Sequence, residues 1–570
     1  AAENETQKKL VGIWEQVLAV EPVGLDDNFF ILGGDSIKSL QIRALLKKNG
    51  FDVTLQSIFE FPTIRLLAAK IGDSKPASPI YESIPPFSLI SAEDKNLVPE
   101  NIVDAYPLTY IQSGMLFHSV FDSSSTAYHN VTSYHLNLAF SFEKLSAALN
   151  EVIDRHPVLR TSFDLSNFSE PLQLVHRQAP AKIDVEDLRG VENERQERII
   201  KNWVENEKSN PFDLSEAGLI RFKIHLRTET TFQFSFSEHH AIVDGWSVAT
   251  MITEIFKLYL DRLGINPAQL NPVPESTYRD FVAAERRALQ SVETKEYWLK
   301  KIENRVATEI PRWSRKYRDP AYSGNRVKGV ALSAATTRRL KEIASRLGVP
   351  IKSILLASHL FVLSVVCGQK DILSGLVSNG RLEENDSERV LGLFLNTLPF
   401  RFKFKSGSWT QLISEVFEQE KEILAHRWYP MAQLQKNSKT PLFETDFDFT
   451  HFHVYQSLEE FKGILLNHQG YEETNFTLTA NFSLDLNAER VWLSLYYLPK
   501  KIGSEQITQI ANFYLKTLEK IAEEPDGRYE LFSPLGVVER EQIIERWNAT
   551  AEDYREEGWL LGALSRRALV

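Results

Sequence analysis

The stretch TTFQFSFSEHHAIVDGWSVATMITEIFKLYLDRLG, residues 230–264, constrains the fold more than any other part of the chain. Phe232, Phe234 and Phe236 alternate with polar residues, the period-2 signature of a half-buried strand. A few residues later the period changes. Val248, Met251, Ile252, Ile255, Phe256, Tyr259 and Leu263 fall on one helical stripe, and Gly264 is placed to close it. A strand that turns at once into an amphipathic helix belongs to a domain mixing α and β structure, with the helix packed on a sheet.

The turn itself carries His239, His240, Asp244 and Gly245. Three readings are open. The histidines can be ordinary polar residues at a strand end, with Asp244 capping the helix. They can bind a metal, but adjacent strand residues point to opposite faces, so the pair does not readily share one ion. Or one histidine faces a cleft as a proton acceptor while its neighbour and Asp244 hold the loop, and Gly245 leaves room for substrate. Ser247 reads as a helix cap, and Cys367, in LSVVCG, as a packing residue at the end of an apolar helix.

The remaining chain divides by texture. Residues 1–73 read as four helices: a stripe of Leu10, Ile13, Trp14, Val17 and Leu18, a second helix from Ser36 to Gly50, a short third at Ile58 and Phe59, and a fourth after Pro62. Residues 74–104 are rich in Pro, Ser and charge, and read as a linker. From 105 onward strands and helices alternate as two α+β lobes, 105–270 and 271–553. Helices are predicted around 142–156, 336–347, 353–366 and 504–523, and strands near 371–378, 390–404 and 491–497. The segment 554–570 has no assigned role.

At 570 residues the chain exceeds one core. A net charge of −11 with no basic block argues against nucleic acid or an anionic membrane as partner. A single cysteine excludes an internal disulfide and suits a reducing compartment. No apolar run spans a bilayer and no signal peptide is visible, so a cytoplasmic piece of a larger protein is expected.

Near the N-terminus, DNFFILGGDSIKSLQI puts Gly33 and Gly34 before Ser36, where a helix should begin. Locally, Asp35 or Ser36 can simply cap that helix. A serine hydroxyl at a helix N-terminus is equally a favourable place for a phosphoester.

Residues 5–73 resemble the acyl or peptidyl carrier domains of assembly-line synthetases. That resemblance implies that Ser36 takes 4′-phosphopantetheine, whose thiol holds an acyl chain. Residues 105–550 resemble a condensation domain of nonribosomal peptide synthetases, with YPLTYIQSGMLFH, RHPVLRTSF, HHAIVDGWS, VSNGR, GLFLNTLPFR and ERWNAT in the family's order. The resemblance implies two chloramphenicol-acetyltransferase-like lobes in a V with the active site in a tunnel between them. It makes His240 the catalytic residue and gives His239 and Gly245 supporting places. It implies that Asp244 pairs with Arg160 in a buried ion pair. The implied reaction is attack of an acceptor aminoacyl amine on a donor thioester. Implied partners are an upstream adenylation domain, a downstream acceptor carrier and a phosphopantetheinyl transferase. Epimerisation domains share the architecture and remain an alternative, as does a non-catalytic recruitment platform, although the intact histidine stretch speaks against the latter. Heterocyclisation domains carry aspartates where this chain has histidines.

Overall fold

The computed structural model describes residues 4–550 apart from 35, 52, 73–83, 122–127, 267–268, 323, 384–385, 437, 439, 451–463, 472–475 and 486–489. The side chains of Ser36 and Ile37, Asp35, and the segment 554–570 therefore lie outside the described residues.

The N-terminal unit is four helices: α1 Glu5–Leu18, α2 Ser36–Lys48, α3 Leu55–Glu60 and α4 Ile64–Gly72. The predicted stripe of α1 buries Leu10, Ile13, Trp14 and Leu18 against Ile42 and Leu46 of α2, Ile58 of α3 and Leu67 of α4. Trp14 meets Phe29 edge to face at 5.5 Å between ring centroids. The Phe29 ring lies where a Cβ on Gly34 would sit, 2.5 Å from its carbons, and Gly33 has φ +87°. Both glycines are thus fixed by the turn that delivers the chain to Ser36 at the start of α2.

The stretch read as a linker is structured from Ile84 onward, which corrects that reading. The Ile84 amide donates to Asp280 at 2.9 Å, Arg279 donates back to the Ile84 carbonyl at 2.7 Å, and Ala92–Leu97 is helical. Backbone hydrogen bonds to a buried acidic residue gave no periodic signal in the sequence.

The first lobe holds β1 Ile102–Pro107, β2 His129–Asn137, β3 Thr161–Asp164, β4 Leu172–His176, β5 Lys182–Asp187, β6 Ile220–Leu226 and β7 Thr231–His239. The second holds β8 Arg326–Ala331, β9 Asp371–Asn379, β10 Leu395–Lys403, β11 Thr445–Thr450, β12 Leu465–Tyr471, β13 Leu478–Asp485 and β14 Arg490–Tyr497. They form a three-stranded sheet β1-β4-β3, a five-stranded sheet β12-β2-β7-β6-β5 and a six-stranded sheet β10-β9-β11-β13-β14-β8.

On β7, Phe232, Phe234 and Phe236 are all fully buried in one core with Leu145, Val152, Ile252 and Phe256 from the helices Phe142–Arg155 and Gly245–Leu263. Each such ring is worth about 1.5–3 kcal/mol of burial. The strand is not half-exposed, however. Its polar face is covered by the helix Asn193–Lys208, and Ser235, Ser237 and His239 are buried too. Hydrogen bonds satisfy them: Ser235 to Ser133 at 2.6 Å, and Ser237 to Glu207 at 2.6 Å. In the second lobe the helix Ile351–Cys367 is buried between the six-stranded sheet and the helices Ala334–Leu347, Trp409–Leu424 and Ser504–Glu523.

The lobes exchange elements across residue 270. Tyr278, Phe281 and Val282, on the helix Tyr278–Gln290, join the first lobe's core. Strand β12 leaves the second lobe and pairs antiparallel with β2. Among the described residues, no single helix is long and apolar enough to cross a membrane; the apolar pair Ala334–Leu347 and Ile351–Cys367 is bent by 108°.

Candidate active site

The site is built on the turn between β7 and the helix Gly245–Leu263. Asp244 is that helix's N-cap and accepts the Ser247 amide at 2.8 Å. Gly245 is its first residue. Ser247 is not the cap. Its hydroxyl instead donates to the Gly392 carbonyl at 2.9 Å, across the lobe boundary.

His240 is partly exposed at the end of the turn. Its amide donates to the Tyr128 carbonyl at 2.8 Å, and Nδ1 lies 2.8 Å from the Val243 carbonyl. A carbonyl only accepts, so Nδ1 carries a proton, and Nε2 is the nitrogen that can act as a lone-pair acceptor.

His239 is held in the opposite sense. The Ala241 amide donates to its Nδ1 at 3.2 Å, so Nε2 carries the proton and donates to the Ser119 hydroxyl at 3.1 Å. Ser119 passes its own hydrogen to the Met115 carbonyl at 3.0 Å. Burial pushes the His239 pKa down to about 3, with His129 and His240 adding to the effect. A ring with both nitrogens engaged and no tendency to charge is a fixture of the loop, not a base. A cavity of about 690 Å³ opens beside His239, lined by Ser119, His129, Phe163, Phe212 and Leu214; it does not include His240.

The ion pair expected between Asp244 and Arg160 is not formed, and this corrects the sequence reading. Arg160 spends its guanidinium on backbone carbonyls of Ile153, Asp154, His176 and Arg177, with the shortest contact 2.5 Å to His176. It ties a helix end to a strand end within the first lobe. Asp244 pairs instead with Arg381, at 3.0 Å, and both are buried. Arg381 also donates to the Ser247 hydroxyl at 2.9 Å and to the Val390 carbonyl at 2.8 Å, and its guanidinium lies 4.1 Å over the Phe394 ring. The Phe394 amide completes the shell of Asp244 at 3.2 Å.

The histidine turn of the first lobe is therefore clamped by the loop between β9 and β10 of the second. The sequence held this signal in VSNGR and GLFLNTLPFR, which contain Arg381, Gly392 and Phe394, but nothing in it paired them with Asp244. Residues 390–394, predicted as strand, form that gripping loop, and β10 starts only at Leu395.

The four-helix unit packs on the second lobe. Phe30 meets Phe417 edge to face at 5.5 Å, and Phe59 lies 6.3 Å from the same ring. Between the two units lies a cavity of about 320 Å³, bordered by Ile31, Gly33 and Gly34 on one side and by Lys341, Lys352, Leu376, Ser378 and Phe449 on the other. Its lining is apolar with Lys341, Lys352 and Glu420, the last two paired at 3.1 Å, and its place at the turn preceding Ser36 suits a long flexible arm attached there.

Fold and site define a class: a helical carrier docked on a two-lobed α+β domain whose histidine turn is clamped between the lobes. Comparison with known proteins gives the family. Residues 102–544 match the condensation domain and residues 8–71 the phosphopantetheine attachment site. The chain belongs to the condensation-domain family and carries a phosphopantetheine-bearing domain ahead of it. It is 31% identical over 539 residues to AMB antimetabolite synthetase AmbE of Pseudomonas aeruginosa, covering 92% of this chain and 25% of that protein. It is 27% identical to surfactin synthase subunit 1 of Bacillus subtilis, covering 100% of this chain and 15% of that one. The chain thus spans a quarter or less of these relatives.

Among solved structures, the condensation domain of the Monacolin K polyketide synthase MokA superposes with TM-score 0.64 at 18% identity, over 75% of this chain and all of that one. A holo four-domain nonribosomal peptide synthetase bound to AMP and glycine gives TM-score 0.64 at 17% identity, over 83% of this chain and 37% of that one.

Proposed function

We propose that this chain forms an amide bond between a donor acyl group held on its own carrier and the amine of an aminoacyl group delivered by a downstream carrier. The attachment point is Ser36, and 4′-phosphopantetheine there supplies a thiol that holds the donor as a thioester. An upstream adenylation domain loads the donor and a phosphopantetheinyl transferase modifies Ser36. The lone Cys367 supports a reducing, cytoplasmic setting.

The observation that carries the reading is the pairing of two placements. The turn leading to Ser36 borders the cavity on the second lobe, and His240 holds its Nδ1 on the Val243 carbonyl in a clamped loop, so that Nε2 is the nitrogen that can accept. An α-amine titrates at about 7.7–8, so a useful fraction, about a tenth to a sixth, is already neutral at pH 7. His240 therefore need not ionise it first. Nε2 accepts a hydrogen bond from the amine, aligns its lone pair on the donor carbonyl, and takes the proton as the nitrogen becomes ammonium-like; as the C–N bond forms, the C–S bond of the thioester breaks and the leaving thiolate takes that proton. Gly245 leaves the first position of the helix without a side chain. Asp244, Arg381 and His239 hold the loop and do not touch the reacting atoms. The match to the condensation domain supports amide formation over epimerisation.

The test is amide formation from a loaded donor to a loaded acceptor carrier, followed by intact mass. His240→Ala should cut the rate by about a hundred-fold or more, the scale of general acid–base catalysis, with an unchanged circular dichroism spectrum. Near-native turnover in that variant would refute the assignment.

A further inference from the structure

At the contact between carrier and second lobe, Glu383 is buried, only 6% exposed, and bonds directly to the carrier. Three groups converge on it. The Leu55 amide, the first of carrier helix α3, donates to Oε2 at 3.0 Å. Arg427 of the second lobe donates to Oε1 at 2.8 Å. Arg43 of carrier helix α2 places its Nε 3.7 Å from Oε2 while donating to the Val53 carbonyl at 3.0 Å.

We propose that Glu383 is the residue by which the condensation domain recognises its donor carrier and sets the register of docking; this rests on the carrier being the donor, as argued above. The Phe30, Phe59 and Phe417 rings supply contact area, but ring contacts tolerate sliding. A carboxylate facing one backbone amide does not: its hydrogen bond is lost within about an ångström. The Leu55 amide and the Arg43 guanidinium together make the carrier a matched partner for a negative charge.

The arrangement also suits repeated docking and release. When the carrier leaves, Glu383 keeps Arg427 and Arg43 keeps the Val53 carbonyl, so neither domain is left with a bare buried charge. A buried pair that lost its sole partner on every cycle would hold the carrier too tightly for it to reach another domain.

The experiment uses the full chain carrying the isosteric substitution Glu383→Gln, which removes the charge and keeps the shape. Hydrogen–deuterium exchange is followed in peptides covering α3, and the phosphopantetheine thiol is titrated with N-ethylmaleimide, with peptide mapping to separate it from Cys367. Loss of one charge-assisted hydrogen bond corresponds to about ten- to a hundred-fold in the docked equilibrium. Exchange in α3 and alkylation of the arm should rise by that factor, with peptides covering 245–263 and 395–403 unchanged. Unaltered protection of α3 overturns the proposal. So does equal loosening of 245–263 and 395–403, which makes Glu383 a structural residue of the loop next to Arg381. If Ser36 gains no mass in the wild type, the donor reading fails by itself, and exchange in α3 still decides whether Glu383 holds the carrier.

Discussion

Arg381→Ala tests the clamp between the lobes. Arg381 is fully buried and Asp244 is 2% exposed, so the substitution strands a carboxylate away from water. Breaking a buried pair from one side costs about 3–5 kcal/mol. Asp244 would keep the Ser247 amide at 2.8 Å and the Phe394 amide at 3.2 Å, so the lower end of that range applies. The chain has more than one cooperative unit, and a single global unfolding energy is the wrong quantity. Hydrogen exchange in the helix Gly245–Leu263 reports the local opening energy directly. A loss of about 3 kcal/mol appears as a roughly hundred-fold faster exchange. Adding Asp244→Asn to the variant removes the stranded charge and should restore part of the protection, by about 2 kcal/mol relative to additive behaviour. Arg160→Ala should leave this helix unchanged, because its four carbonyl contacts lie elsewhere. Wild-type protection in Arg381→Ala, or an equal loss in Arg160→Ala, would refute the reasoning.

Two further predictions address the cofactor and pH. Ser36→Ala should abolish the mass gain seen when the chain is incubated with coenzyme A and a phosphopantetheinyl transferase, as read by intact mass; a retained gain would move the attachment point. Burial pushes the Glu285 pKa up to about 8, against the Tyr110 amide that donates to it at 3.0 Å. Its folded pKa is raised, so its contribution is full below the unfolded pKa of about 4.3 and is lost as pH rises through the folded value. Glu285→Gln should therefore gain stability over the wild type by up to about 1.4 kcal/mol per pH unit between about pH 5 and 8, and then level off. Hydrogen exchange in the helix Tyr278–Gln290, compared between variant and wild type at each of several pH values, checks this, and a difference independent of pH would rule it out.

Periodicity recovered the regular elements because it records which side of an element is apolar. The stripe from Val248 to Leu263 is a helix, and the alternation at Phe232, Phe234 and Phe236 is a strand. It misjudged the polar face of β7. Ser235 and Ser237 read as solvent-facing, but polar side chains are buried wherever a partner such as Ser133 or Glu207 satisfies them. It also ran β10 back over 390–394, because those apolar residues are buried in a loop, and burial alone does not distinguish a loop from a strand. The linker reading failed after Ile84 for a related reason: the segment is held by hydrogen bonds to Asp280 and Arg279, far away in the chain.

By itself the amino-acid order determined the succession of domains, the start of α2 at Ser36 and the placing of His239, His240 and Asp244 at a strand-to-helix turn. All of these follow from local spacing and short-range backbone preference. Only the tertiary structure decided that Arg381, not Arg160, neutralises Asp244, that His240 offers Nε2 while His239 is locked by Ser119 and Ala241, and that Glu383 meets the carrier. Each depends on which side chains from distant segments share one water-poor space. The energy of a charge there is set by the partner that arrives, and spacing along the chain does not encode that.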